Sequence, residues 1–204
     1  MKKCAIVCSI LLLLIAFAGC VQPEQMESIE NSTVSQAITE STQYVKPEGE
    51  KTAMDHIWEI TDEDDFVIAL SDYIAQKCNY GYEIAALSEA ERVFFIAQSL
   101  EMEVNNGGFN QFFFNSAGNF SGELVAAFEA IGAVKTAEIC QRALDAFGCQ
   151  VPADRTARQD LLEELEGTEF DDILDQCDSD FYDYEENLNA LNYAFVMKHK
   201  DQFH

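Results

Sequence analysis

The chain has 204 residues, with 37 Asp and Glu against 12 Lys and Arg, and a formal net charge of −25. A surface this acidic repels nucleic acid and anionic lipid headgroups, so the charge balance excludes direct binding to either. It favours cations and basic protein surfaces as partners.

The N-terminal segment predicts export. Two lysines precede an apolar run at residues 10–18, which is too short to span a bilayer core of about 30 Å. Residues 1–19 are therefore predicted to be a signal peptide. Residues 17–20, Phe-Ala-Gly-Cys, resemble a bacterial lipobox with Phe17 in place of the usual Leu. The resemblance implies acylation of the Cys20 thiol by fatty acids such as palmitate, and thus a lipid-anchored protein on the extracytoplasmic side of the cell membrane.

Residues 20–53 are predicted to form a flexible polar tether. They are rich in Ser, Thr, Gln and Glu and show no sustained apolar period, so they cannot bury enough surface to offset their ordering entropy. A coil of this length spans roughly 30 to 35 Å. Residues 54–204, which have the usual size of a single domain, should lie near the membrane and contact it only through the lipid on Cys20.

Helical periodicity in residues 54–204 predicts an all-α fold, a single compact domain of about six or seven helices. Thr61 is the expected N-cap of the first helix. Ser88 and Glu91 form a capping box at the start of the second helix.

Glycines are expected to separate the helices that follow. Gly107 and Gly108 should end the second helix before a short aromatic helix over residues 109–115. Ser121 is the expected cap of the next helix, and Gly132 should bend it. The last helix is predicted to carry four apolar residues on one face: Tyr184, Leu188, Leu191 and Phe195.

The folded part contains four cysteines, Cys78, Cys140, Cys149 and Cys177. Outside the cytosol they permit three disulfide pairings, and the alternative is that they are buried free thiols. Both interpretations stay open. Neither metal binding nor a cofactor is expected, because no pair has C-x-x-C spacing and the histidines are scattered.

Residues 101–118 carry a motif that resembles the bacterial DNA-mimic protein family, whose helical C-terminal domain is largely of unknown function. The motif residues are Glu103, Asn106, Gly107, Gly108, Phe109, Gln111, Phe112, Asn115 and Gly118. The resemblance covers residues 62–150 and, loosely, the acidic segment after them. It implies an all-α, acidic protein that can form a homodimer and that binds a transcription regulator by imitating duplex DNA.

An acidic segment without Lys or Arg follows the motif. Its predicted partner-binding acids are Asp160, Glu163, Glu164, Glu166, Glu169, Asp171, Asp172, Asp175, Asp178, Asp180 and Asp183, with Glu185 and Glu186 after them. Carboxylates one helical turn apart are separated by about 5 to 6 Å, which is close to the spacing of phosphates along a DNA strand. The alternative is a solvated face that keeps the protein soluble.

The amides of the motif also have two interpretations. Asn105, Asn106, Gln111 and Asn115 could line a small polar pocket beside the paired glycines. Alternatively, they satisfy main-chain groups where two helices meet, with the motif phenylalanines in the core.

These features predict a non-enzymatic, lipid-anchored binding protein that docks a basic protein partner through its acidic helical surface. No nucleophile elbow, P-loop, zinc or dinucleotide motif is present, and Glu101 and Glu103 point to different sides of one helix. One alternative is a DNA-mimic regulator binder, if the chain is not exported. Others are an envelope hydrolase and a Ca²⁺-dependent module that uses the acids from Asp178 onwards.

Overall fold

The computed structural model describes residues 51–204, so the predicted signal peptide, Cys20 and most of the predicted tether lie outside the described residues. Within that range the chain forms eight α-helices and no strand, which confirms the all-α prediction. The helices are α1 (Ala53–Ile57), α2 (Glu63–Lys77), α3 (Glu89–Phe114), α4 (Leu124–Ile131), α5 (Val134–Asp145), α6 (Arg155–Leu165), α7 (Glu169–Tyr182) and α8 (Leu188–Lys198).

The first helix, α1, is too short to give a periodic signal in the sequence. Thr52 and Asp55 form a capping box at its N-terminus, and Met54 and Ile57 are buried. Helix α1 therefore begins at Ala53, the last residue assigned to the tether, and its first buried side chain is that of Met54.

The N-cap of α2 differs from the prediction. Asp62, rather than Thr61, accepts hydrogen bonds from the main-chain N–H groups of Asp64 (3.1 Å) and Asp65 (3.0 Å). A carboxylate at this position also interacts favourably with the helix dipole, which adds to the stabilisation from these hydrogen bonds.

The start of α3 confirms the predicted capping box of Ser88 and Glu91. Glu91 is fully buried, and its two carboxylate oxygens accept from Lys77 Nζ at 2.7 and 2.8 Å. Because a buried charge is costly without a partner, this ion pair fixes the end of α2 against the start of α3.

The predicted interruption at the paired glycines is a bend within α3. Gly108 has φ +75°, and a Cβ atom at this residue would lie 2.1 Å from Asp178 Oδ2. The Asp178 carboxylate instead accepts from the main-chain N–H of Phe109 (2.7 Å). Asp178 thus caps the segment of α3 that follows the bend, residues 109–114.

Two later expectations are wrong, and one is confirmed. Ser121 does not cap α4, because its hydroxyl donates to the Gly118 carbonyl inside the 3-10 segment Ser116–Glu123. Tyr184 is not on the last helix, since it lies in a turn with φ +44° and Asn187 caps α8. Gly132 does separate α4 from α5, with φ +87°.

The long helix α3 is central, and α2, α4, α6, α7 and α8 all pack against it. Its second segment contributes Phe109, Phe112 and Phe113, which are fully buried. Phe147 connects this aromatic cluster to α7, with ring centroids 4.8 Å from both Phe113 and Phe170.

A buried guanidinium holds the C-terminal end of α3. Arg158, on α6, is fully buried, and among residues 51–204 it has no carboxylate partner. It donates to the main-chain oxygens of Phe113 (2.5 Å), Asn115 (2.8 Å), Pro152 (2.8 Å) and Ala153 (3.1 Å), and to the side-chain oxygen of Asn119 (2.9 Å). Since the last carbonyls of a helix have no partner within it, Arg158 satisfies acceptors that would otherwise be buried and unpaired.

The motif residue Gly118 lies against this guanidinium. A Cβ atom at Gly118 would be 2.6 Å from Arg158 Nε and 2.8 Å from the Phe112 carbonyl oxygen. Glycine is therefore required here for close packing.

All four cysteines of the folded part are free thiols, with Cys78, Cys140 and Cys177 buried and Cys149 exposed. Burial raises the pKa of the Cys140 and Cys177 thiols. Among the helices of residues 51–204, none combines the length and the apolar character needed to cross a membrane.

We expect Arg158→Lys to destabilise the fold by about 3 kcal/mol, because an ammonium has fewer donors and leaves buried carbonyls unpaired. The matched control is Arg155→Lys on the exposed side of the same helix, where the cost should stay below about 1 kcal/mol. Urea unfolding followed by circular dichroism measures both. An equal loss of unfolding free energy in the two variants would show that the buried hydrogen bonds of Arg158 do not depend on a guanidinium.

Candidate functional site

An acidic groove lies between α6 and α7. It has a volume of about 680 Å³. Two rows of carboxylates line it: Asp160, Glu163 and Glu166 from α6 and its C-cap, and Asp171, Asp175 and Asp178 from α7. Leu162 and Leu174, both buried, also line the groove, together with Asn110, Phe114 and Gln159.

The sequence spacing explains the two rows. On α6 the acids recur every three residues, and on α7 after four and then three, so each set lies on one face of its helix. Both helices pack against α3 through buried neighbours such as Arg158 and Phe170. The rows therefore line one groove, and neighbouring acids within each helix have Cβ atoms about 5 to 6 Å apart.

Four of these carboxylates are not neutralised. Asp160, Glu163, Glu166 and Asp175 are exposed, and no side chain or main-chain donor of residues 51–204 hydrogen bonds to them. No Lys or Arg of this described part lines the groove. The groove thus presents a strongly negative potential to solvent.

The other two carboxylates of the groove have structural partners. Asp171 accepts from the main-chain N–H of Gly167 (2.7 Å), and Asp178 accepts from that of Phe109 (2.7 Å). Burial raises the pKa of Asp178, the Phe109 N–H opposes this shift, and the neighbouring charge of Asp175 adds to it.

The remaining predicted acids lie outside the groove, and some are neutralised. Asp180 accepts from Arg142 Nη2 at 2.5 Å, which lowers the pKa of its carboxyl. Glu185 pairs with Lys135, and Glu186 accepts from the Thr136 main-chain N–H (2.9 Å).

The other four predicted acids, Glu164, Glu169, Asp172 and Asp183, are exposed but line no part of the acidic groove. The acids that were predicted to form one face are thus divided between the acidic groove and other parts of the surface. A partner-binding role for its residues stays a prediction.

The motif residues hold the bend of α3. Glu103 Oε2 accepts from Gln111 Nε2 (2.8 Å) and Asn115 Nδ2 (2.9 Å), so it links the segment before the bend to the segment after it. Asn105 donates to the Tyr184 hydroxyl (2.7 Å), and Asn106 is exposed. These contacts support the structural interpretation of the amides rather than a pocket that they line.

Several groove residues could not be predicted from the sequence pattern. Asn110 and Phe114 come from α3, and Gln159 donates to the Phe114 carbonyl oxygen (2.9 Å). Phe114 is 49% exposed, although its aromatic neighbours are buried. An exposed phenylalanine in a run of core residues is the only signal that could have pointed to this side of α3.

The acids proposed for Ca²⁺ do not converge. Asp178, Asp180, Glu185 and Glu186 bind four different donors of the protein, as described above. Within residues 51–204, no group of three His, Cys, Asp or Glu side chains is arranged to hold a metal ion.

The two α7 carboxylates with shifted pKa values should respond oppositely to pH. Because the pKa of Asp178 is raised in the fold, the stability it contributes is greatest at low pH and is lost as pH rises through that pKa. From about pH 7 to about pH 4, the wild type should therefore gain stability relative to Asp178→Asn.

The matched control is Asp180→Asn. Its carboxyl has a lowered pKa, so its contribution is lost only below about pH 4, as pH falls through that value, and there the wild type should lose stability relative to this variant. Urea unfolding at a series of pH values measures both differences. If the stability difference from the wild type changed in the same direction for both variants as pH falls, the assignment of opposite pKa shifts to Asp178 and Asp180 would be contradicted.

Comparison with known proteins gives one match. A family model described as DMP19-like protein matches residues 85–199, from just before α3 to the end of α8. The match starts later than residue 62, where the expected resemblance begins, and it extends beyond residue 150 through the whole acidic segment. It therefore includes both the motif and the groove. Neither the curated proteins nor the solved structures contain a match. Since the model covers more than half of the chain and confirms the resemblance to the DNA-mimic family, the chain belongs to the DMP19-like protein family.

Proposed function

We propose that this chain is a non-enzymatic binding protein that docks a basic protein partner in its acidic groove. The observation that carries the proposal is the pair of carboxylate rows, of which four members have no neutralising group in residues 51–204. Membership of a DNA-mimic family supports a protein-binding role.

The groove suits an extended set of cationic side chains rather than a single ion. Its two rows of negative charge resemble the two phosphate strands that border a DNA groove, which basic proteins read with Lys and Arg. Phe114, which is 49% exposed, gives the groove apolar surface on which the aliphatic stems of Lys and Arg can pack.

The test neutralises the four unpaired groove acids together, as Asp160→Asn, Glu163→Gln, Glu166→Gln and Asp175→Asn. The full chain is immobilised, and basic proteins captured from an envelope extract are quantified by mass spectrometry. We expect capture to fall by about tenfold or more, which corresponds to the loss of about 1.4 kcal/mol of binding free energy.

The matched control removes the same number of charges from exposed positions outside the groove, as Glu129→Gln, Glu164→Gln, Asp172→Asn and Asp183→Asn. Capture by this variant should stay within about twofold of the wild type, and moderate salt should weaken capture by the wild type. If both variants lose capture equally, net charge and not the groove determines binding, and the proposal fails.

We further propose that the chain is exported and anchored through acylated Cys20. The lysines, the short apolar run and the lipobox-like residues 17–20 support this location. In cells of a bacterial host fed an alkyne fatty acid, the wild type should be labelled and found with the membrane fraction. Cys20→Ser should be neither labelled nor retained there.

Unprocessed, unlabelled wild-type chain in the cytosol would reject export. In that case the groove would meet cytosolic regulators, and the DNA-mimic alternative would be tested by displacement of a basic regulator from its DNA site.

A further inference from the structure

A small pocket separate from the acidic groove lies between α2, α3 and the 3-10 segment Ser116–Glu123. Its volume is about 200 Å³. Its walls are mainly apolar and come from Ala75, Tyr80, Phe95, Met102, Ala117 and Phe120. We call it the Glu103 pocket, because the motif residue Glu103 lines it.

Glu103 is a buried carboxylate whose charge has no cationic partner in the described part of the chain. It is nine-tenths buried, and its Oε2 accepts from two neutral amides, those of Gln111 and Asn115. Its Oε1 accepts no hydrogen bond from residues 51–204. Asp72 also lines the pocket, and no Lys or Arg of residues 51–204 does. A buried carboxylate in such surroundings favours a cationic ligand.

The residues around the pocket also include exposed apolar side chains. Tyr80 is 66% exposed and has φ +54°, a left-handed conformation that is uncommon for an aromatic residue. Gly81 follows it, and a Cβ at Gly81 would meet the Phe120 ring at 3.2 Å. The chain therefore turns close to the pocket wall here. Met102 is 59% exposed. Exposed Tyr and Met side chains are typical of protein contact surfaces.

We propose that the Glu103 pocket binds the side chain of one arginine of a protein partner. A carboxylate and aromatic walls match a planar guanidinium, which forms paired hydrogen bonds with carboxylates and stacks on rings better than an ammonium does. The occupant is a side chain and not a free metabolite, because the volume is below the roughly 300 to 1,000 Å³ of small-molecule sites. The site is distinct from the acidic groove, so it adds an arginine-specific contact to the proposed function.

The probe is N-acetyl-arginine amide, which presents the side chain without main-chain charges. Binding to the full chain is followed by the NMR shifts of the Ser99, Met102 and Ala117 amides. We expect saturable binding with a dissociation constant of about 1 mM. N-acetyl-citrulline amide, which has the same shape but no charge, should bind at least about tenfold more weakly.

Three variants locate the probe. Ala75→Leu fills the pocket without altering Glu103 and should abolish binding. Glu103→Gln should weaken binding by about tenfold or more. The matched control is Glu101→Gln, two residues away on α3, where Oε1 accepts from the Tyr184 hydroxyl (3.0 Å) outside the pocket. This variant should bind the probe as the wild type does.

The proposal is overturned by an absence of saturable shifts at about 10 mM probe, by equal binding of the citrulline probe, or by full binding to a folded Ala75→Leu chain. If the Glu103→Gln variant does not fold, probe binding to the Ala75→Leu variant decides whether the pocket is the site. The variant with four neutralised groove acids should keep probe binding. Failure of the groove proposal is therefore distinguishable from failure of this one.

Discussion

The bend of α3 at Gly108 is the constraint on which the rest of the structure depends. It places the aromatic segment 109–114 where both α6 and α7 can pack against it. Three polar contacts from different parts of the chain hold this segment. Asp178 satisfies its first main-chain N–H, Glu103 binds its amides, and Arg158 satisfies its last carbonyls. Because these contacts are buried or partly buried, loss of one leaves unpaired polar groups next to the core.

The same bend explains why the motif combines glycines, amides and phenylalanines. Gly108 permits the close approach of the Asp178 carboxylate, and Gly118 permits the approach of the Arg158 guanidinium. Gln111 and Asn115 connect the two segments of the helix through Glu103. The family signature is thus largely a description of how one helix is bent and held. Function lies in the surfaces that this arrangement positions, which is why the motif indicates the family without indicating an activity.

Sequence patterns predicted the features that depend on neighbouring residues. The capping box of Ser88 and Glu91 and the break at Gly132 are local, and both are present. The N-cap of α2 was displaced by one residue, because Thr61 and Asp62 are both good caps and only the backbone angles distinguish them.

Features that depend on long-range packing could not be predicted. Asp180 pairs with Arg142, 38 residues earlier, and Glu186 binds Thr136, 50 residues earlier. Nothing local distinguishes these acids from Asp175 or Glu163, which have no such partner among residues 51–204. The division of the acidic segment into paired and unpaired carboxylates therefore follows from the tertiary fold, as does the burial of Arg158 without an acid.

The unpaired carboxylates of the groove also have a consequence for the protein when nothing is bound. Like charges on the α6 and α7 sides of the groove repel one another, and a cationic ligand docked there, as proposed above, would relieve that repulsion. Part of the affinity for the proposed partner would then originate in the relief of this repulsion rather than in new contacts. Substitutions that neutralise the groove should raise the stability of the unbound protein while they weaken binding of the proposed partner. Such a trade-off between stability and function is common at binding sites.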